Sequence, residues 1–234
     1  MLPTPGKKHP NGKLEWSVPT PFSIAFGHNI QATSIQMARI FSIFANGGTN
    51  VEPTLIQKVI KKDDAGNEIV LVDNTKRERL ERVIDEDTVK DVVRALKFST
   101  KRGGSASQAN IWGYTEAGKT GTSEKIVNGV YTDRKHVSTF VGFAPVSQPA
   151  FVLLVAMDEP ERFFIPGVGH NQRGGICCAP VFREIGRRSL EYLGVTPDDP
   201  HGYPNGDPRY DPKKADWMQE VEKLEELNKQ WNGH

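Results

Sequence analysis

The sequence predicts a mixed α/β chain. Four segments carry apolar residues at helical spacing between recognisable start and stop signals. Between them, residues 115–157 break into short alternating or continuously apolar runs of strand length. The composition is that of an ordinary globular chain: of 234 residues, 37% are hydrophobic, 25% are charged and 22 are glycine. Those proportions exclude collagenous, coiled-coil and wholly disordered classes. Thirty basic residues against twenty-nine acidic ones leave a formal charge of +1, so no excess charge favours nucleic acid or an anionic membrane surface. Two cysteines do not make a disulfide framework. No apolar run approaches the ~20 residues of a membrane span, and the opening MLPTPGKKHPNGK has no apolar signal region.

Residues 1–20 hold four prolines and two glycines and read as an extended leader. The first helix follows, capped by Thr33 or Ser34, with Ile35, Ala38, Phe41 or Ile40, and Phe44 on one face. Asn46-Gly47-Gly48 stops it. Leu55, Gln57 and Val59 alternate, Asp64-Ala65-Gly66-Asn67 offers a turn, and Glu68-Ile69-Val70-Leu71 completes a β-hairpin. A second helix runs from Asp85 to Phe98 with Val89, Val92, Val93 and Leu96 inward, and the polar stretch Ser99–Asn110 is a loop. Strands are expected around Thr115–Ile126, His136–Phe143 and Phe151–Met157. The last is almost continuously apolar, which predicts burial on both faces. Asn128-Gly129 is a tight-turn signal. Pro180 opens a helix through Val181, Phe182, Ile185 and Leu193, ended by Gly194. Five prolines in residues 196–212 predict an extended connector. Residues 213–234 form an amphipathic tail helix whose stripe (Trp217, Val221, Leu224, Trp231) is expected to pack on the chain's own body or a neighbouring domain.

The pattern G-x-x-x-x-G-K-[ST] occurs as Gly113-Tyr114-Thr115-Glu116-Ala117-Gly118-Lys119-Thr120, a literal match to the phosphate loop of nucleotide hydrolases. The run Phe151–Met157 followed by Asp158-Glu159 imitates their magnesium-binding strand. Phosphate binding needs a buried strand leading into a helix whose N-terminus presents N–H donors. Here polar Ser107-Gln108-Ala109-Asn110 precedes the pattern, and Ile126-Val127 with a turn follows too soon for a helix. The residue context therefore argues against nucleotide hydrolysis.

In another frame the same residues are Ala117-Gly118-Lys119-Thr120-Gly121-Thr122-Ser123, which resembles the Lys-Thr-Gly strand of penicillin-binding proteins and serine β-lactamases. Thr139-Phe140-Val141-Gly142-Phe143-Ala144-Pro145, Met157-Asp158-Glu159-Pro160, Gly174-Gly175 and Ala179-Pro180-Val181-Phe182-Arg183-Glu184-Ile185 follow in order. Phe26-Gly27, Thr33-Ser34-Ile35-Gln36-Met37-Ala38 and Ala45-Asn46-Gly47-Gly48 precede it. Together they resemble the class B penicillin-binding proteins, the transpeptidases of bacterial division and elongation, over roughly residues 14–195. Phe26-Gly27-His28-Asn29 departs from the family's Phe-Gly-Gln-Gly, Ser123 stands where Ala is usual, and Cys177-Cys178 replace small apolar residues. The adjacent cysteines are expected to serve core packing.

The resemblance implies an antiparallel sheet flanked by helices, with three of the family's five sheet strands in this chain. Residues 21–195 would be the C-terminal portion of the transpeptidase domain. It implies a serine D,D-transpeptidase that cross-links peptidoglycan and binds penicillin. Lys119 would attract the D-Ala carboxylate and assist proton movement. Thr120 and Thr122, two residues apart on one strand face, would bind that carboxylate. The Thr122 N–H would be an oxyanion donor, and Gly121 would let substrate backbone approach. The family's nucleophile motif Ser-x-x-Lys and its Ser-x-Asn motif are both absent from the sequence; Ser99-Thr100-Lys101-Arg102 is the nearest imitation. The chain is thus expected to begin after both motifs and to be inactive alone. The missing N-terminal half of the domain would carry the membrane anchor, and the chain would lie on the periplasmic side of the inner membrane. Implied partners are peptidoglycan stem peptides and β-lactams, that N-terminal half, a membrane glycan polymerase and division or elongation proteins; nucleic acid is not among them. No cofactor is implied, and the six histidines lack metal-ligand spacing. The alternative is a non-catalytic envelope module that binds peptidoglycan or division partners.

Overall fold

The structure, a computed structural model, describes residues 3–28, 30–76, 81–127 and 130–232. The chain divides into two compact units, Met1–Met37 and Ala38–His234. In the first, the leader is not extended. The Glu15 N–H donates to Lys7 O at 2.8 Å and the His9 N–H to Lys13 O at 2.8 Å, so the chain doubles back. Asn11-Gly12 makes this turn, with Gly12 at φ +80°, a conformation that glycine adopts without a Cβ penalty. Helix α1 (Thr20–Ala25) follows. Helix α2 (Ser34–Ala45) is capped by Thr33: the Gln36 N–H donates to Thr33 Oγ1 at 3.3 Å, and the Thr33 N–H donates back to Gln36 Oε1 at 2.8 Å. This reciprocal pair is a capping box.

In the second unit, Phe41 of α2 is buried while Ile40 is exposed. Strands β1 (Lys58–Lys62) and β2 (Glu68–Asp73) form the expected hairpin. Its turn is held by Asp63 Oδ1, which accepts the N–H groups of Ala65 and Asn67 at 2.9 and 2.8 Å. Helix α3 (Glu86–Thr100) starts at Asp85, whose carboxylate accepts the Thr88 N–H at 2.8 Å. Val89 is buried and Val92, Val93 and Leu96 are half-buried, the inward face that the spacing predicts.

The main sheet has three antiparallel strands in the order β3 (Ala117–Val127), β4 (Val130–Ala144), β5 (Phe151–Asp158). The residues of the expected Asn128-Gly129 turn lie outside the described residues, and the register closes across them with Val127 opposite Val130. A short ribbon of β6 (Phe164–Ile165) and β7 (Gly169–His170) precedes helix α4 (Gly174–Cys177). Neither was legible as a periodic segment, because pieces of two to four residues have no period. Helix α5 (Ala179–Tyr192) has Pro180 in its first turn, as expected, and α6 (Asp216–Asn232) is the last described element.

The core lies between one sheet face and α5. Phe140 of β4 meets Phe182 of α5 edge-on, with ring centroids 4.7 Å apart, and Ile111, Ala144, Val155, Cys178 and Leu190 complete the cluster. Both cysteines are free and buried in it, as core packing requires. Strand β5 corrects an expectation. Only Val155 is buried, and Ala156 is exposed. Phe151, Leu153 and Met157 pack half-buried against the core, whereas residues 152, 154 and 156 point to the other face by alternation. Helix α5 covers one side of an edge strand, so its run of apolar residues did not mean two buried faces.

Residues 196–212 are not an extended connector either. Asp198 Oδ1 accepts the Thr115 N–H at 2.7 Å, the Gly113 N–H donates to Gly202 O at 3.1 Å, and Arg209 stacks 3.6 Å above the Tyr203 ring. The prolines shape a wrap over the segment that leads into β3. Helix α6 docks through its first turn: Lys97 Nζ lies 2.5 Å from Asp216 Oδ2, and the Asp216 N–H donates to Asp199 Oδ1 at 3.3 Å. Val221 is half-buried and Trp231 is exposed. The side chains of Trp217 and Leu224 lie outside the described residues. No described helix is long and apolar enough to cross a membrane.

Candidate functional site

Residues 113–120 enter a strand and not a helix. Gly118, Lys119 and Thr120 sit inside β3, paired with Gly142, Val141 and Phe140. No helix N-terminus is present there to cradle a phosphate, and the phosphate-loop pattern is a coincidence of residue types.

The start of β3 is fixed from two sides. The Lys101 ammonium lies 2.9 Å from Glu116 Oε1, with the two side chains 3% and 0% exposed. Glu116 Oε2 also accepts the Ile111 N–H at 3.1 Å, and Thr100 Oγ1 donates to Glu116 O at 3.1 Å. Burial pushes the Glu116 carboxyl above the usual range, and the Lys101 charge and these donors pull against it. Ser99 Oγ donates to the carbonyls of Leu96 and Gly118. The apparent imitation of a nucleophile motif, Ser99-Thr100-Lys101-Arg102, therefore ties α3 to β3.

Beyond Gly118, the strand's period of two divides the four candidate residues. Thr120 shares the face of its partner Phe140, and Thr122 follows on the same face. Lys119 and Gly121 belong to the opposite face. The Lys119 side chain bends along the strand edge, donating to Thr120 O at 3.1 Å and standing 3.5 Å from Thr120 Oγ1. The Gly118 carbonyl points off the edge of β3 away from β4, where Ser99 reaches it. In an antiparallel ladder the N–H groups of Thr120 and Thr122 point the same way. A Cβ on Gly121 would overlap Thr139 Oγ1, so glycine here keeps β3 close to β4 as well as bare.

Thr120 and Thr122 line a cavity of about 400 Å³ together with Ser105, Ser107, Gln108 and Arg173. Thr120 Oγ1 shares a hydrogen bond with Ser105 Oγ at 3.2 Å, and Thr122 Oγ1 accepts the Gly174 N–H at 3.1 Å. Gly174-Gly175 make this approach possible: a Cβ on Gly174 would overlap Thr139 O, and one on Gly175 would overlap Ser105 O. Sequence reasoning grouped Lys119, Thr120, Gly121 and Thr122, and the structure keeps them contiguous on β3 with the threonines in the cavity. It did not find Ser105, Gln108 or Arg173. They come from loops 15 and 51 residues away from Thr120 and Thr122, and the only local signal was the Gly174-Gly175 pair.

A three-stranded antiparallel sheet backed by α5 thus carries a Lys-Thr-Gly-Thr edge strand over a polar cavity. Comparison with known proteins supplies the family. Residues 5–186 match the family described as penicillin binding protein transpeptidase domain. A probable peptidoglycan D,D-transpeptidase PenA of Neisseria flavescens is 30% identical over 178 residues, covering 76% of this chain and 39% of the relative. Stage V sporulation protein D of Bacillus subtilis is 35% identical over 173 residues, covering 74% and 25%. Among solved structures, penicillin binding protein 3 of Mycobacterium tuberculosis complexed with ampicillin superposes with a TM-score of 0.63 at 26% identity, over 83% of this chain and 41% of that one. The chain belongs to the penicillin-binding protein transpeptidase family. It spans between a quarter and two fifths of the length of these curated relatives.

Proposed function

We propose that this chain is the part of a serine D,D-transpeptidase that presents the substrate-binding strand during peptidoglycan cross-linking. The observation that carries the reading is β3 itself: two threonine hydroxyls share one cavity, and alternation from the Gly118 carbonyl that Ser99 reaches turns the N–H groups of the same residues away from β4. In this reading Thr120 and Thr122 bind the terminal D-Ala carboxylate, and Lys119 adds positive charge at the rim and assists proton movement. The Thr122 N–H stabilises the oxyanion as a serine attacks the penultimate D-Ala carbonyl. An ester forms, terminal D-Ala leaves with a proton, and the amine of a second stem peptide then displaces the serine.

The sequence contains no Ser-x-x-Lys and no Ser-x-Asn, so the nucleophile belongs to another segment of the whole protein. The Mycobacterium tuberculosis relative has been crystallised with aztreonam and with ampicillin. By the same reading the completed domain takes β-lactams and works at the periplasmic side of the inner membrane, alongside a membrane glycan polymerase and division or elongation proteins. The absent serine motif also supports a second reading, a non-catalytic envelope module that binds peptidoglycan or division partners. Covalent labelling by a fluorescent penicillin decides between them. The transpeptidase reading requires no label on this chain alone and stoichiometric label on a serine once the N-terminal portion of the domain is supplied. An unlabelled complete domain contradicts it.

A further inference from the structure

The cavity against β3 has a charge that the Lys-Thr-Gly-Thr strand does not supply. Among the residues that line it, Arg173 alone is charged, and no carboxylate is present. Lys119 is not part of the lining; its ammonium is engaged by Thr120 O of its own strand. Among the described residues, the Arg173 guanidinium makes no hydrogen bond and no ion pair. Arg94, Arg102 and Arg183 are likewise unpaired among the described residues but do not line this cavity, whereas Arg187, Arg188 and Arg209 are each bound to a carboxylate at 2.7–3.0 Å. The Arg173 backbone is nonetheless fixed. Its N–H donates to His170 O at 3.2 Å, and Gly174 beside it donates to Thr122 Oγ1. Arg173, exposed and unpaired, thus lines the same cavity as two threonine hydroxyls, two serine hydroxyls and an amide, all able to donate to one acceptor group.

We infer that Arg173 is a specificity-determining residue that makes this cavity select a carboxylate. A carboxylate bound there would accept from the planar guanidinium fork and from the Thr120 and Thr122 hydroxyls at once, an arrangement in which the fork geometry of arginine adds orientation as well as charge. For the identity of the ligand, a peptide ending in D-Ala-D-Ala, the inference rests on the transpeptidase reading. For the role of Arg173 it rests on the cavity alone.

The test titrates the purified chain with three probes: acetyl-D-alanyl-D-alanine, the same peptide as its C-terminal amide, and succinate. Binding is read by the change in intrinsic tryptophan fluorescence with the chain at low micromolar concentration, below the range of self-association, and wild type, Arg173→Gln and Arg173→Lys are first checked to melt alike. A charge-assisted hydrogen bond corresponds to about tenfold or more in affinity. The expected result is that wild type prefers the acid to the amide by about tenfold, that Arg173→Gln erases the preference, and that Arg173→Lys keeps part of it. A preference that survives in Arg173→Gln, or no acid binding by wild type, overturns the role of Arg173. The transpeptidase reading then stands or falls on penicillin labelling alone. If succinate binds as well as the peptide and both are lost in Arg173→Gln, Arg173 keeps its role and the D-Ala-D-Ala ligand is contradicted.

Discussion

Lys101 and Glu116 form an ion pair at 2.9 Å inside the protein, at the point where α3 ends and β3 is about to begin. A buried pair offsets its desolvation only while both charges are present; removing one leaves the other uncompensated and costs about 3–5 kcal/mol. Lys101→Met should therefore lower the urea midpoint strongly, and Lys101→Met with Glu116→Leu should recover much of the loss. The single variant should also acquire a pH dependence. Burial already pushes the Glu116 carboxyl up, and without Lys101 it rises further. The folded variant then holds a proton that the unfolded chain has released, so stability falls as pH rises above the ordinary carboxylate range. A pH-independent midpoint for Lys101→Met would contradict this account.

The two cysteines give a second expectation. Burial, with the neighbouring Cys177 thiol adding to it, pushes Cys178 up to about 12. The thiolate is the reactive species, and Cys178 is fully buried. Cys178 should resist a thiol reagent at pH 8 in the folded chain and react promptly in guanidinium. Rapid modification of Cys178 without unfolding would show that the α4–α5 junction is open.

Magnesium ATP should leave the melting temperature unchanged. A ligand present at a hundred times its dissociation constant stabilises by about 2.7 kcal/mol, which a thermal melt detects easily. With Gly118-Lys119-Thr120 locked in β3, a clear upward shift would require the strand to be wrong.

Strand β5 is at the edge of the described sheet, and its run Phe151–Met157 contains no charge and no proline. Natural edge strands carry such features to prevent pairing with another chain. The isolated chain should self-associate at tens of micromolar, read by sedimentation or light scattering. A stable monomer whose β5 amides are well protected from exchange would contradict the assignment of that edge.

The elements with a sustained period were legible in the sequence: α2, α3 and α5, the β1–β2 hairpin and the three sheet strands. Thr33 could be read as a cap because it supplies a side-chain acceptor three residues before the N–H it serves, whereas Asp85 was read only as the first residue of its helix and the structure makes it the cap. The wrap of residues 196–212 was not legible, since it depends on Asp198 meeting Thr115 across 83 residues. The site divided in the same way. Lys119 to Thr122 form one contiguous motif and were found. Arg173 and Ser105 reach the cavity only through tertiary packing, and Lys101 was visible merely as part of a false nucleophile motif.

In the proposed function, Lys119 and Thr122 on β3 serve acyl transfer to a serine supplied by another segment. The most direct measurement of this claim is the acylation rate of the completed domain by a fluorescent penicillin, in wild type, Lys119→Ala and Thr122→Ala. Losing one electrostatic element of such a site costs on the order of 10²–10³ in rate. Lys119 is exposed, so its removal should spare the fold while slowing acylation by about that factor. Thr122→Ala should do less, because the oxyanion donor assigned to Thr122 is its backbone N–H and survives the change. Equal rates for wild type and Lys119→Ala would contradict the claim.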